Sequence, residues 1–476
     1  RGRGDLMSGS FGGLSTALSS LYAQRRALDT TGQNIANANT EGYSRQRVGM
    51  QAASATPVPA LYSTSDGVGG GVAVSDVARL RDTFLEARGR AEHGNAQYLA
   101  GRQEIFGRIE NIFAEPSDTA LASQLDDFWN GWSEVSSQAT NTAVRSQLLE
   151  RGRVVADGLR AAYDNLDAQW STLRSQVDAY TTDVNTAAEA VALLNRTIKQ
   201  QKAAGLPANE LADQRDLHLM ELSKLTGATT VARDDGTVDV YVGGSALVSD
   251  GVARQLVAAG GRQLATVGED KVQFRWGGEE GPPAAMTGGR LAAALDTLNE
   301  IIPTYSTGLD DVAARLAQRV NEVHSAGYPM DGTDTAGDFF TSSSAGLPVT
   351  ARTISVAITD ARDLGVSGVP GSSDGANADA LAQLAKGADG PDAAYRKLVV
   401  GLGVESQAAQ RRSDIQARVA ADIDVLRTAD AGVNLDEEMT NMITFQRAYE
   451  AASRVLTSVD QMLDVLINRT GLVGRG

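Results

Sequence analysis

The sequence predicts a mainly α fold with an inserted β domain: long terminal helices paired as a coiled coil, a helical-bundle body, and an outer β-rich domain. Three observations lead there. Proline and glycine are both absent from Leu159 to Ala204, from Val404 to Ala431 and from Val433 to Thr470; without those breakers the chain runs on as helix, about 70 Å for the first stretch at 1.5 Å per residue. Aromatic residues are only 5% of the chain, which favours helices packed on Ala, Leu and Val over a large aromatic-rich sandwich. Between Thr229 and Trp276 the pattern changes to strands, with Val238, Val240 and Val242 alternating with polar residues.

Element by element, the reading places an N-terminal axial helix and turn in 1–56, a linker and helical body in 57–228, and a β-rich outer domain in 229–287. The body returns in 288–328, a loop and β segment belonging to the outer domain fills 329–378, the body closes over 379–432, and a C-terminal axial helix occupies 433–476. Asp235-Gly236 and Gly243-Gly244 supply hairpin turns, Val272-Gln273-Phe274 a further strand and Thr353 to Ile358 another. Helix resumes at Gly289 and runs to about Ser325 with an expected break near Pro303.

The two ends carry apolar seams. Leu435, Met439, Met442, Phe445, Tyr449, Ala452, Leu456, Val459, Leu463 and Leu466 recur at steps of three and four, a coiled-coil seam with one slip near Met442. Asn434 is placed to cap this helix, with Glu437 three residues on and Asp436 and Glu438 beside it at the positive helix start. A second set, Ile443, Val455, Met462, Val465 and Ile467, lies off the seam, so the helix needs neighbours on more than one side. At the other end Phe11, Leu14, Leu18, Leu21, Leu28 and Ile35 share a heptad-like stripe, interrupted by Arg25 and Gly32. Residues 1–50 are net basic and residues 430–470 net acidic, which favours their lateral pairing. Burying one such seam falls short of the entropy lost in ordering a lone helix. Both ends are therefore expected to fray in the free chain and to order on packing against other chains.

Composition removes several function classes. The chain of 476 residues has no cysteine and only three histidines, His93, His218 and His324, which excludes disulfides, thiolate catalysis and Cys-ligated metal sites. A net charge of −16 and a pI near 4.8 repel phosphate backbones, so no nucleic-acid partner is expected. No apolar run is long enough for a membrane span, and the arginines at the N-terminus lack a following signal-peptide core. Arg1 to Leu6, ahead of Met7, reads as a tag, an upstream start or a processing remnant.

After the first helix comes Asn34-Ile35-Ala36-Asn37-Ala38-Asn39-Thr40, then Glu41-Gly42-Tyr43-Ser44-Arg45-Gln46. Asn37 and Asn39 suit a helix end, Thr40 and Tyr43 flank the turn, and Gly42 supplies a positive φ. This run strongly resembles the N-terminal motif of the bacterial flagellar axial proteins (rod, hook and hook-associated), with Tyr43 to Gln46 most like the hook-associated branch; Glu41 stands where the family usually has proline. Gly432 to Glu438, Phe445 to Tyr449 and Val459 to Leu463 resemble the family's C-terminal helix. Looser likenesses fall at Gly69 to Arg79, Leu125 to Trp132, Gly288 to Leu291 and Asp331 to Phe340. The resemblance implies a non-enzymatic structural subunit joining the flagellar hook to the filament. It implies an extracellular location, reached by the type III path without a cleaved signal, and paired terminal helices lining a tube. The implied partners are further copies of the chain, hook protein, hook-associated protein 3 and a cytoplasmic export chaperone. The assembly interface then falls on Leu14, Leu18, Leu21, Leu28, Ile35, Leu435, Met439, Met442, Phe445, Tyr449, Leu456, Val459, Leu463 and Leu466. Another axial component, and less so a wall-degrading enzyme on a flagellar scaffold, are the other readings.

No catalytic, cofactor or metal site is expected. Gly67 to Gly71 lacks the strand, helix and lysine of a phosphate cradle, and His218 to Glu221 lacks a second zinc histidine. Asp331, Asp334 and Asp338 fail the calcium-loop spacing. Asp126-Asp127, Asp234-Asp235, Glu279-Glu280 and Glu437-Glu438 are adjacent only in sequence and read as helix-start or loop charges. Phe128, Trp132 and Val135 read as core, and Arg3-Gly4-Asp5 as an incidental tripeptide.

Overall fold

A computed structural model describes residues 5–53, 70–330, 332–372 and 374–465, with side chains from residue 13 onward. Arg1 to Gly4, Gly67 to Gly69, Asp331, Leu466, Ile467 and the side chain of Phe11 thus lie outside the described residues. The protein is mostly helical with small antiparallel sheets.

The first helix, α1, spans Asp5–Ala36, and a turn leads to β1 (Gln46–Ala52), which pairs antiparallel with β2 (Val72–Arg79) from Gln46↔Arg79 to Ala52↔Val72 with a register shift between Gly49 and Met50. The pair lies along α1. Asp82 then caps α2 (Thr83–Phe113) by accepting from the amides of Phe84 and Leu85 at 2.7 and 3.2 Å. Next come α3 (Leu121–Ser137) and α4 (Thr142–Ala203).

Asn141 starts α4 by capping Ala143 and Val144, and the helix continues for 62 residues, about 93 Å, until Gly205 turns the chain at φ 71°. It is longer than its glycine-free stretch because it runs through Gly152 and Gly158. Gly152 is required: a Cβ there would sit 2.8 Å from the Phe339 ring. A stripe at steps of three and four, including Leu159, Leu166, Trp170, Val177, Val184 and Val191, is buried along the helix.

Helix α5 (Asn209–Thr226) precedes a four-stranded meander, β3 (Thr229–Ala232), β4 (Val238–Val242), β5 (Ser245–Ser249) and β6 (Val252–Ala253). A three-stranded sheet follows, β7 (Leu256–Ala259), β8 (Gln273–Trp276) and β9 (Pro283–Ala284). Gly243-Gly244 forms the β4–β5 turn as the sequence predicts. The inward valines of β4 and Phe274 and Trp276 of β8 join the same hydrophobic core as the helices. Asparagines on the helices hold these edges: Asn195 exchanges two hydrogen bonds with the backbone of Val238, and Asn185 does the same with Leu256, at 2.8–3.0 Å.

Helix α6 (Gly289–Asp296) passes through a π-helical turn, Thr297–Ile301, into α7 (Ile302–His324). The expected break at Pro303 is therefore absent. The chain stays helical through Pro303, which falls in the first turn of α7, and Asn299 within the π turn bonds both backbone groups of Val272. Strands β10 (Phe340–Ser342) and β11 (Ile354–Val356) pair, α8 (Ala376–Gln383) covers α3, and α9 (Pro391–Ala431) starts with proline at its first turn and packs along α2. Phe128, Trp132, Phe339, Phe340 and His324 form one buried aromatic cluster, and Val135 is buried beside them, as expected of core residues. The last helix, α10 (Leu435–Asp464), is capped by Asn434, which accepts from Asp436 and Glu437.

Candidate functional site

The two terminal helices lie side by side and antiparallel within one chain, which corrects the expectation that both ends fray until other chains cover them: each helix covers part of the other's apolar seam. Asn34 of α1 donates to Glu438 of α10 at 3.0 Å, and 21 residues away along both helices a Cβ on Gly13 would lie 3.9 Å from Val459. The close contact uses small side chains. Among the described side chains of α1 the buried ones are Ala17, Ala23, Ala27, Thr30, Thr31 and Asn34, whereas Leu14, Leu21, Leu28 and Ile35 are half-buried and Leu18 and Tyr22 are exposed. On α10, Ala452 and Val459 are buried and Met442, Phe445, Leu456 and Leu463 half-buried. Leu435, Met439 and Tyr449 are exposed, as are the off-seam Ile443, Val455, Met462 and Val465. The predicted seam thus divides into residues turned toward α1 and residues with no cover within the chain.

At the base of the pair, the turn after α1 is tied into the body. Asn37 and Thr40 hold each other and the helix end: the Asn37 amide donates to Gln33, and the Thr40 hydroxyl to Asn37. Asn39 and Gly42 are exposed. Gly42 has φ 78°, and a Cβ there would lie 2.7 Å from Leu217 of α5, so both backbone and space require glycine. Asn34 uses both ends of its amide. Its Nδ2 donates to the Gln46 carbonyl and Glu438, and its Oδ1 accepts from the Tyr43 hydroxyl and the Gln46 amide, all at 2.9–3.0 Å. Burial, with Asp213, Glu210 and Glu438 nearby, pushes the Tyr43 phenol up to about 12 and keeps it a donor.

Around this node charges interlock. Arg45 reaches Glu438 at 2.8 Å and Glu437 at 2.7 Å, Ser44 donates to Asp213, and Gln46 meets Glu210 and Asn209 of α5. Arg79 bridges Asp213 and Asp216 at 2.8 Å, Arg81 pairs with Asp216 and Glu86, and Arg427 of α9 forks onto Glu86 at 2.9 and 3.1 Å. Burial alone would raise the Glu86 carboxyl, but its bonds to Arg427 and Arg81 hold it below the usual range. Arg427 continues to Asp424, which meets His93 at 2.9 Å. Glu438 is 2% exposed, so it is a buried ion-pair partner and not only a helix-start charge. The sequence signal for this joint was the Tyr43–Gln46 run. Its acidic partners, hundreds of positions away, gave none.

His218 is part-exposed beside Glu221 on α5. Among the described residues no cluster of His, Asp or Glu is placed to hold a metal, and no helix is long and apolar enough to cross a membrane.

The joint brings the two ends of the chain together on a helical body, and comparisons with flagellar axial protein families fall on the same elements. Residues 14–43, α1 and its turn, match the flagella basal body rod protein family. Residues 429–469, spanning α10, match the C-terminal region of the flagellar basal body rod FlgEFG proteins. Residues 106–340 match the helical domain of the flagellar hook-associated protein FlgK. Over 98% of its length the chain is 32% identical to flagellar hook-associated protein 1 of Bacillus subtilis, covering all of that protein. It is 26% identical to the Escherichia coli protein of that name over 96% of the chain and 99% of the relative. The chain belongs to the flagellar hook-associated protein 1 family. The fold agrees: the flagellar hook junction protein FlgK from Burkholderia pseudomallei superposes with a TM-score of 0.63 at 15% identity, over 72% of this chain and 99% of that one.

Proposed function

We propose that the chain is a structural, non-enzymatic subunit of the bacterial flagellum that joins hook to filament, packing with further copies through its terminal helices. The observation that carries this reading is the uncovered face of the terminal pair. Leu18, Tyr22, Leu435, Met439, Ile443, Tyr449, Val455 and Met462 stay exposed after α1 and α10 have packed together. Exposed large apolar side chains in such number along one helix pair point to an interaction surface. The two helices then act as one coiled-coil unit lining a tube, Leu14, Leu21, Leu28 and Ile35 completing the interface from α1. The joint at Asn34, Tyr43 and Arg45 holds that unit to the body. The body and the sheets, as the domains 57–228, 229–287, 288–328, 329–378 and 379–432, face outward. Hook protein and hook-associated protein 3 flank the junction, and the chain leaves the cell through the type III path with an export chaperone.

Removal of residues from Leu435 onward is expected to leave a soluble, folded body that fails to assemble. In a strain lacking the native protein, electron microscopy should then find hooks without filaments and filament protein shed into the medium. Normal filaments from the truncated chain would contradict the reading.

A further inference from the structure

Beside the joint lies a cleft of about 580 Å³ between α1, β2, the end of α4 and the β3–β4 turn. Arg26, Arg79, Lys202, Arg215 and Arg233 line it, against one carboxylate, Asp76. That balance runs against a chain of net charge −16. Two of the cations are already neutralised, Arg79 by Asp213 and Asp216 and Arg233 by Asp239. The other three are not. Arg26 and Lys202 meet no carboxylate among the described residues, though Lys202 lies over Gly236. Arg215 is 5% exposed; its Nη1 donates to the neutral acceptors Asn195 Oδ1 and Gly236 O, no carboxylate contacts it, and its Nε finds no acceptor. Asp216, the carboxylate that acts on it, makes no contact with it and is already shared by Arg79 and Arg81, and a nearly buried guanidinium with no carboxylate in contact is stabilised by an anion from outside.

We infer that this cleft receives an acidic segment of a second copy of the chain, an inference that rests on the reading that copies pack side by side. The strongly acidic surface of the chain supplies the complementary charge, and the cleft has room for a short peptide segment. Arg26 comes from the terminal helix and Lys202 from the body, so a docked carboxylate segment would bridge the two from outside and brace the joint against bending.

The test uses isolated flagella treated with a carbodiimide, which joins an amine to a carboxylate without a spacer. Lys202 is expected to cross-link to an Asp or Glu of another copy, in a product absent from the dilute free chain. The variant Arg26→Glu/Lys202→Glu, both on the exposed surface and expected to leave the far-ultraviolet dichroism unchanged, should enter flagella about tenfold less well than wild type. Incorporation of the variant at the wild-type level, or Lys202 products confined to one chain or formed with a different protein, would overturn the inference while leaving terminal-helix assembly standing. Failure of the wild-type chain to enter flagella would overturn both.

Discussion

Arg45, Asn34 and Glu438 decide how the terminal pair is held. Glu438 is buried and receives both Arg45 and Asn34. Arg45→Ala strands that carboxylate and is expected to cost about 3–5 kcal/mol, whereas the double variant Arg45→Leu/Glu438→Leu, which removes both charges, should cost far less. Urea denaturation of both variants checks this; equal losses would show that the charges do not depend on each other. His324 gives an independent reading from the body. Its Nδ1 donates to Gly337 O at 2.7 Å and its Nε2 accepts from the Gly365 amide at 3.0 Å, and burial takes its pKa from 6.5 down to about 4. The folded state binds fewer protons than the unfolded one between those values. Its contribution is thus complete above pH 6.5 and is lost as pH falls toward 4, about 3 kcal/mol in all. The imidazole resonances of His324 should not titrate between pH 7 and 5, and His324→Gln should flatten the stability slope in that window.

At the scale of elements, helices were legible wherever proline and glycine were missing, and the Asn434 cap and the Gly42 turn appeared where their chemistry placed them. The misreadings have physical causes. A helix interior tolerates Gly152, Gly158, Gly401 and Gly403 when packing holds it, so α4 and α9 outrun their glycine-free stretches. The helix continues through Pro303 because proline falls in the first turn of α7, directly after the π turn. On α1 a ranking by side-chain size points to leucines, but close helix approach selects Ala17, Ala27 and Thr31 instead. Ala27→Leu is accordingly expected to destabilise the α1–α10 pair by about 1–3 kcal/mol through overpacking, while Leu18→Ser leaves the free chain nearly unchanged. Hydrogen exchange of the amides in α1 and α10 distinguishes the two.

For the whole molecule, the body closes one core from helices and sheets, and the terminal pair rests on it through the charged joint. The joint could not be read ahead of the structure because Arg45 and Glu438 stand 393 positions apart and only folding brings them together. The pair remains incomplete alone, with apolar side chains on the side away from its own contact. The most direct test is the variant Met439→Glu/Ile443→Glu, which charges that outer side and leaves Met442, Phe445, Leu456 and Val459 intact. The account predicts a folded chain that keeps the α1–α10 pairing, measured by a spin-label distance across the two helices, yet yields no junction or filament in cells lacking the native protein. Full-length filaments from that variant would contradict it.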